Sequence, residues 1–215
     1  MGRVRIVVEG MTASGKSTVV DLLAERLGLK VMPEEFRDQY DLLRRFHHER
    51  RWAFPMQLNF LVTRFAQYLC ATEEESYVLD RSIFGDKIYA TLYHRLGYFS
   101  DSQYGMYLTL YDNMIRHLVM PDLLVVLHCP FDEIMRRILL RGREDEIRAG
   151  EPYWRELYNA YSHFLEVVRS EVATPRVIEL DLSDPAFIRS PDRIDAFLTD
   201  VRRMLDDADL GRKPT

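Results

Sequence analysis

Apolar positions fall into two kinds of run along this chain. Short, almost unbroken aliphatic runs occupy residues 4–8, 77–79, 123–127 and 177–180, with a weaker one at 29–31. They do not alternate with polar residues, which is the pattern of strands buried on both faces. Between them the apolar spacing changes to three and four. Lys16–Leu27 carries Val19, Val20, Leu22, Leu23 and Leu27, while 57–72 carries Leu58, Leu61, Val62, Phe65 and Leu69. Both predict amphipathic helices. Further helices are predicted at 84–96, 103–118, 131–140, 153–172 and 191–205. Strands alternating with helices predict an α/β fold on a parallel sheet. The stretch 33–75 is too long for a simple crossover, so helices inside it are expected to wall a site.

Length and composition narrow this picture. A chain of 215 residues is expected to be one domain, here 1–205, with 206–215 as a frayed tail. Its 47% apolar and 29% charged residues can build a core without disulfides or a structural metal. The net charge of −5 argues against a polynucleotide binder, because phosphate backbones demand a basic face. Four of the 29 basic residues are lysines (Lys16, Lys30, Lys87, Lys213), so 25 are arginines. Base composition accounts for many of them, but some suit bidentate contact with phosphate. Cys70 and Cys129 lack CxxC spacing and a histidine partner, so two reduced thiols in a cytoplasmic protein are expected. After Ile6, Val7 and Val8 the N-terminus turns acidic and glycine-rich, which predicts neither a signal peptide nor membrane attachment.

The chemistry concentrates in a few segments. Gly10-Met11-Thr12-Ala13-Ser14-Gly15-Lys16-Ser17 is a full GxxxxGK[ST] placed after a strand and opening a helix. Its backbone N–H groups can wrap an anionic phosphate at a helix N-terminus. Gly10, Thr12, Ala13, Ser14, Gly15, Lys16, Ser17 and Thr18 are thus candidates to hold ATP, with Lys16 on the β- and γ-phosphates and Ser17 helping to hold Mg²⁺. Pro33-Glu34-Glu35-Phe36 follows the second strand, at the sheet end where α/β folds bind ligands. A carboxylate there, Glu34 or Glu35, can take the proton of a hydroxyl attacking a phosphoryl group, or can simply be a solvated acid.

Asp80-Arg81-Ser82 follows the third strand. Asp80 is a candidate Mg²⁺ holder through water and Arg81 can orient the base or a substrate oxygen, although the two also read as a plain salt bridge. Farther on, Arg137 and Arg141 share a helical face, Gly142 offers a hinge, and Arg143 and Glu146 follow in a lid at about 141–151. Such like charges destabilise an isolated helix, so an anionic partner is expected, either ATP phosphates or neighbouring acids. Gln57 and Arg64 lie two helical turns apart with Phe60 between them. An amide flanked by rings suits a flat base, and core packing is the competing reading.

In this order, the P-loop, Pro33-Glu34, Gln57…Arg64, Asp80-Arg81-Ser82 with Asp86, and Arg137…Arg141-Gly142-Arg143 with Glu146 resemble the deoxyribonucleoside kinase family. That group contains deoxycytidine, deoxyguanosine and bacterial deoxyadenosine kinases, and the resemblance spans roughly three quarters of the chain. It implies a P-loop kinase three-layer sandwich, with a five-stranded parallel sheet flanked by helices and an Arg-rich lid, usually as a homodimer. It implies that ATP with Mg²⁺ phosphorylates a deoxynucleoside 5′-hydroxyl. Glu34 then resembles the base, Arg81 the arginine on the 5′-oxygen, and Gln57 the base reader. Arg64 and Asp86 resemble the pair lining the base pocket, Glu146 the acceptor of the 3′-hydroxyl, and Arg137, Arg141 and Arg143 the phosphate clamp. Phe46 and Trp52 stand where family members carry a tyrosine that also meets the 3′-hydroxyl. Glu35 replaces a common proline, and Asp80 with Ile83-Phe84 leans toward the bacterial purine-preferring branch. A thymidylate-type monophosphate kinase and a non-catalytic nucleotide-binding module are the alternatives. Glu34 disfavours the first, since it would repel an acceptor phosphate.

Overall fold

The structure is a computed structural model that describes residues 3–34, 36, 38–171, 175–184 and 186–211. The apolar runs form one parallel sheet of five strands: β1 Arg5–Glu9, β2 Lys30–Met32, β3 Tyr77–Asp80, β4 Leu123–His128 and β5 Arg176–Asp181. Their order across the sheet is β2-β3-β1-β4-β5. Successive side chains point to opposite faces, so each central strand feeds two cores. Val7, Leu79, Leu124 and Val126 enter one, while Ile6, Val8, Val78, Leu123 and Val125 enter the other. This double burial explains why these strands read as unbroken apolar runs.

Helices cover both faces, giving the three expected layers. On the second core lie α1 Lys16–Leu27 and the last helix, Pro191–Gly211, through Val19, Leu23, Phe197 and Val201. On the first lie α2 Leu42–His48, α3 Ala53–Ala71, α4 Ile83–Arg95, α5 Asp101–Ile115, α6 Phe131–Arg141, α7 Glu144–Tyr161 and α8 Phe164–Glu171. The last helix is accordingly α9. The insert expected to wall a site thus holds α2, a single 3₁₀ turn at Arg50–Trp52, and α3.

Several boundaries differ from the sequence pattern for local reasons. α5 starts at Asp101, two residues before the expected start at 103, because Ser100 and Gln103 form a capping box. The single helix expected over 153–172 is two, α7 and α8, and α7 itself begins upstream at Glu144. It bends at Gly150, whose φ is 78° and ψ 159°, just before Pro152. α9 continues past Leu205 to Gly211, into the segment expected to fray, and residues 212–215 lie outside the described residues. Parallel pairing brings the carboxyl ends of all five strands to one edge of the sheet, which is where the loops carrying Gly10, Glu34 and Arg81 converge.

Candidate active site

A cavity of about 950 Å³ opens at that edge. Its floor is the loop between β1 and α1. Gly15 sits there at φ 107°, a left-handed conformation open to glycine, and lets the helix start with its N–H groups facing the cavity. Lys16 is buried and curls over the loop, donating to the carbonyls of Gly10 at 2.9 Å and Met11 at 3.0 Å. Burial and the charge of Arg81 lower its ammonium to about 8, against the pull of Glu9, Glu34 and Asp80. Ser17 Oγ donates to Asp80 Oδ2 at 2.9 Å. Among the described residues the other oxygen, Asp80 Oδ1, is buried without a hydrogen-bond partner. An orphaned carboxylate oxygen beside a hydroxyl fits a site that would hold Mg²⁺.

Glu34 lines the same cavity as this loop. Its Oε1 accepts from Arg64 Nη2 at 2.6 Å and lies 2.9 Å from Arg81 Nε. Burial would raise its pKa, but the charges of Arg81, Arg64 and Lys16 outweigh that and bring it down to about 2. The carboxylate is therefore ionised across the physiological range and is presented by two guanidinium groups. Glu35, the alternative base, lies outside the described residues.

Gln57, Phe60 and Asp86 form the next wall. Gln57 Nε2 donates to the Asp86 carbonyl at 3.2 Å, and Phe60 stacks on Phe36 with centroids 3.8 Å apart. Burial pushes the Asp86 carboxyl up to about 6, opposed by Arg64 and Arg81. Arg64 is placed differently from expectation. It is 2% exposed and stands behind the cavity wall, held by Glu34 and, at 3.5 Å, by Asp86. A guanidinium neutralised by two carboxylates can be buried, so Arg64 shapes the pocket through them. Within the loop Gly10 and Ser14 are likewise buried, whereas Thr12, Ala13, Thr18, Arg81 and the lid residues line the cavity.

The lid arginines find acidic partners inside the protein. Arg137 pairs with Glu133 at 2.7 Å and donates to the Ser14 carbonyl at 2.9 Å, tying α6 to the loop. Glu133 also takes Arg136 at 2.7 Å. Beyond Gly142, Glu146 receives Arg141 at 2.6 Å and Arg143 at 3.4 Å. Neighbouring acids thus relieve the like-charge crowding on α6, and the same arginines face the cavity.

Four tyrosines escaped the sequence reading. Tyr89 and Tyr93 follow Asp86 at helical spacing on α4 and line the cavity, a three-four pattern that the sequence carries. Tyr89 lies 3.1 Å from Thr12 Oγ1, and Tyr93 is 3.1 Å from Tyr153 on α7, hydroxyl to hydroxyl. Tyr161 meets Arg81. Phe46 lines the cavity and packs on Tyr93 with centroids 5.2 Å apart, while Trp52 lies under Arg45 and Arg51 instead.

Comparison with known proteins sets this geometry in context. A family model described as deoxynucleoside kinase matches residues 6–206. A deoxyadenosine/deoxycytidine kinase from Bacillus subtilis is 31% identical over 207 residues, covering 94% of this chain and 93% of that protein. A deoxyguanosine kinase from Lactobacillus johnsonii is 30% identical over 170 residues, covering 75% of this chain and 76% of that one. In fold, the chain is similar to the structure of deoxyadenosine kinase from M. mycoides with bound dATP. That likeness has a TM-score of 0.77 at 22% identity and covers 92% of this chain and 99% of the other.

Proposed function

The chain belongs to the deoxynucleoside kinase family, and from that premise we propose how this ATP-dependent kinase moves a phosphoryl group to a deoxynucleoside 5′-hydroxyl. The observation that carries the reading is Glu34, an ionised carboxylate fixed by Arg81 and Arg64 in the cavity that a phosphate-binding loop also lines. Glu34 accepts the hydroxyl proton as the 5′-oxygen attacks the γ-phosphorus and the bond from that phosphorus to the β,γ-bridging oxygen breaks, releasing ADP. Arg81, 2.9 Å from that carboxylate, orients both it and the 5′-oxygen. The N–H groups of residues 12–18 with Lys16 hold the triphosphate, and Arg137, Arg141 and Arg143 meet the charge that develops on it. Ser17 and Asp80 would hold Mg²⁺, which supplies charge neutralisation on the phosphates when bound. Gln57 reads the base beside Phe60 and Asp86, and Glu146 receives the 3′-hydroxyl. Catalysis here is positioning and electrostatics, because phosphoryl transfer asks little covalent work of the protein.

A purine deoxynucleoside such as deoxyadenosine is the favoured acceptor, in keeping with Asp80 and Ile83-Phe84 and with relatives named for deoxyadenosine and deoxyguanosine. ATP consumption measured with the four deoxynucleosides and with dTMP tests this directly. Deoxyadenosine and deoxyguanosine are expected to lead, and turnover of dTMP alone would overturn the assignment. A cytoplasmic setting accords with Cys70 and Cys129, both free, and no described helix is long and apolar enough to cross a membrane. A homodimer accords with the apolar side chains exposed on the adjoining helices α3 and α5, among them Val62 at 51% and Met106 at 53%. Met106→Asp is expected to shift the sedimenting species to a monomer, and an unchanged sedimentation coefficient rules that face out.

A further inference from the structure

Glu9, the last residue of β1, is a fully buried carboxylate that the phosphoryl-transfer scheme above leaves unused. Burying a charge is costly unless hydrogen bonds replace its water, and four donors do so. Oε1 accepts from Gly10 N–H at 2.7 Å, and Oε2 accepts from Ser82 N–H at 2.9 Å and Ser82 Oγ at 2.6 Å. The fourth donor is the Tyr161 hydroxyl, 3.4 Å from Oε1. That same hydroxyl accepts from Arg81 Nη1 at 2.9 Å. A phenol has one proton to give and lone pairs to receive, so the direction of the chain is set: Arg81 donates to Tyr161, and Tyr161 donates to Glu9. Burial and the neighbouring Glu9 raise Tyr161 well above the usual phenol range, which keeps that proton in place.

Two further features point the same way. Arg81 occupies φ 77° without being glycine, a strained conformation that persists only where its surroundings hold it. Its own N–H donates to Val8 O at 2.9 Å, and its neighbour Ser82 gives both donors to Glu9. The second feature is Gly85, one turn into α4. A Cβ there would come within 2.6 Å of Glu9 Oε2 and 3.2 Å of the Tyr161 hydroxyl, so the absence of a side chain makes room for this contact. We propose that Glu9 and Tyr161 are positioning residues that aim the Arg81 guanidinium at the reacting 5′-oxygen and couple its placement to the start of the phosphate-binding loop at Gly10. The inference rests on the role given to Arg81 above.

Tyr161→Phe removes the relay hydroxyl and keeps the ring that packs on Phe164 and Tyr89. A hydrogen bond to a charged group lost at this point is expected to lower kcat about tenfold or more, with both KM values within about twofold and the melting temperature nearly unchanged. In an Arg81→Lys background, already weakened, the same change is expected to cost less than about twofold, because the link it would break is gone. Glu9→Gln is expected to act in the same direction. An active wild type whose Tyr161→Phe variant keeps its kcat overturns this inference alone, as does an equal fold-loss in both backgrounds. An Arg81→Lys enzyme with full kcat overturns the role of Arg81 and this inference with it. A wild type without deoxynucleoside-dependent ATP consumption overturns the function as well.

Discussion

Replacing Glu34 by Gln keeps the shape of the side chain and removes the charge that Arg64 and Arg81 share. Two effects follow, and they separate in pH. The first is catalytic: a positioned general base contributes about 10²–10⁴-fold, so kcat should fall by that factor while the deoxynucleoside KM stays within a few-fold. The second is stability. A carboxyl lowered from 4.5 to about 2 corresponds to about 3.5 kcal/mol at about 1.4 kcal/mol per pK unit. For a domain of this size that is roughly 7–14 °C in melting temperature. Because the folded-state pKa is depressed, this stabilisation is complete above pH 4.5 and disappears as the pH falls toward 2. Thermal melts of wild type and Glu34→Gln at pH 7, 5, 4 and 3, beside initial rates from an ATP-coupled assay, measure both. The gap in melting temperature should be constant from pH 7 to 5 and then shrink. A gap that persists unchanged to pH 3, or the absence of one, refutes the ion-pair account. An unchanged kcat refutes the base assignment, and Glu35→Gln then becomes the decisive variant.

Three other changes probe separate parts of the cavity. Gln57→Leu leaves the Asp86 carbonyl, now 3.2 Å from the amide, without that donor and the base edge unread; kcat/KM should fall about 10²-fold or more, and undiminished base discrimination would remove Gln57 from the pocket. Asp80→Asn takes the charge from the oxygen facing Ser17, so a Mg²⁺ titration of the initial rate should half-saturate at several-fold higher concentration. Arg141→Ala removes the shorter of the two contacts to Glu146 and, if the lid meets developing charge, lowers kcat by about 10³-fold. A loss confined to the ATP KM would restrict Arg141 to ground-state binding.

The parts legible in the sequence are those whose signal is local. Each central strand shows as an apolar run because both its faces are covered, and the phosphate loop is a contiguous motif. Gln57, Glu34 and Arg81 are marked by their positions after strands or along one helix face. What escaped depends on contacts distant along the chain. Glu9 looks like an ordinary strand end until Ser82 and Tyr161 arrive beside it. The burial of Arg64 is decided by Glu34 and Asp86 together. Glu133 and Glu146 stand three to five residues from the arginines they pair with, so their spacing was visible, but the choice between an internal acid and a nucleotide was not. The bend at Gly150 was also present in the sequence as Gly-Glu-Pro, within a stretch whose apolar spacing alone could not mark a break.

The central position of β1 carries a consequence for how the chain is made. Its ladders join Arg5 to Tyr77 on one side and Ile6 to Leu123 on the other, so this strand cannot be paired on both edges until β4 has been made, more than a hundred residues later. At a synthesis rate of about 5–20 residues per second, that wait is of order ten seconds. Through that interval an apolar strand, Ile6-Val7-Val8, keeps at least one edge open, and pairings of such sequence separation are intrinsically slow to form. The loop that grips phosphate is thus translated well before the strands that shape it, and chaperone contact during synthesis should concentrate on Arg5–Gly10.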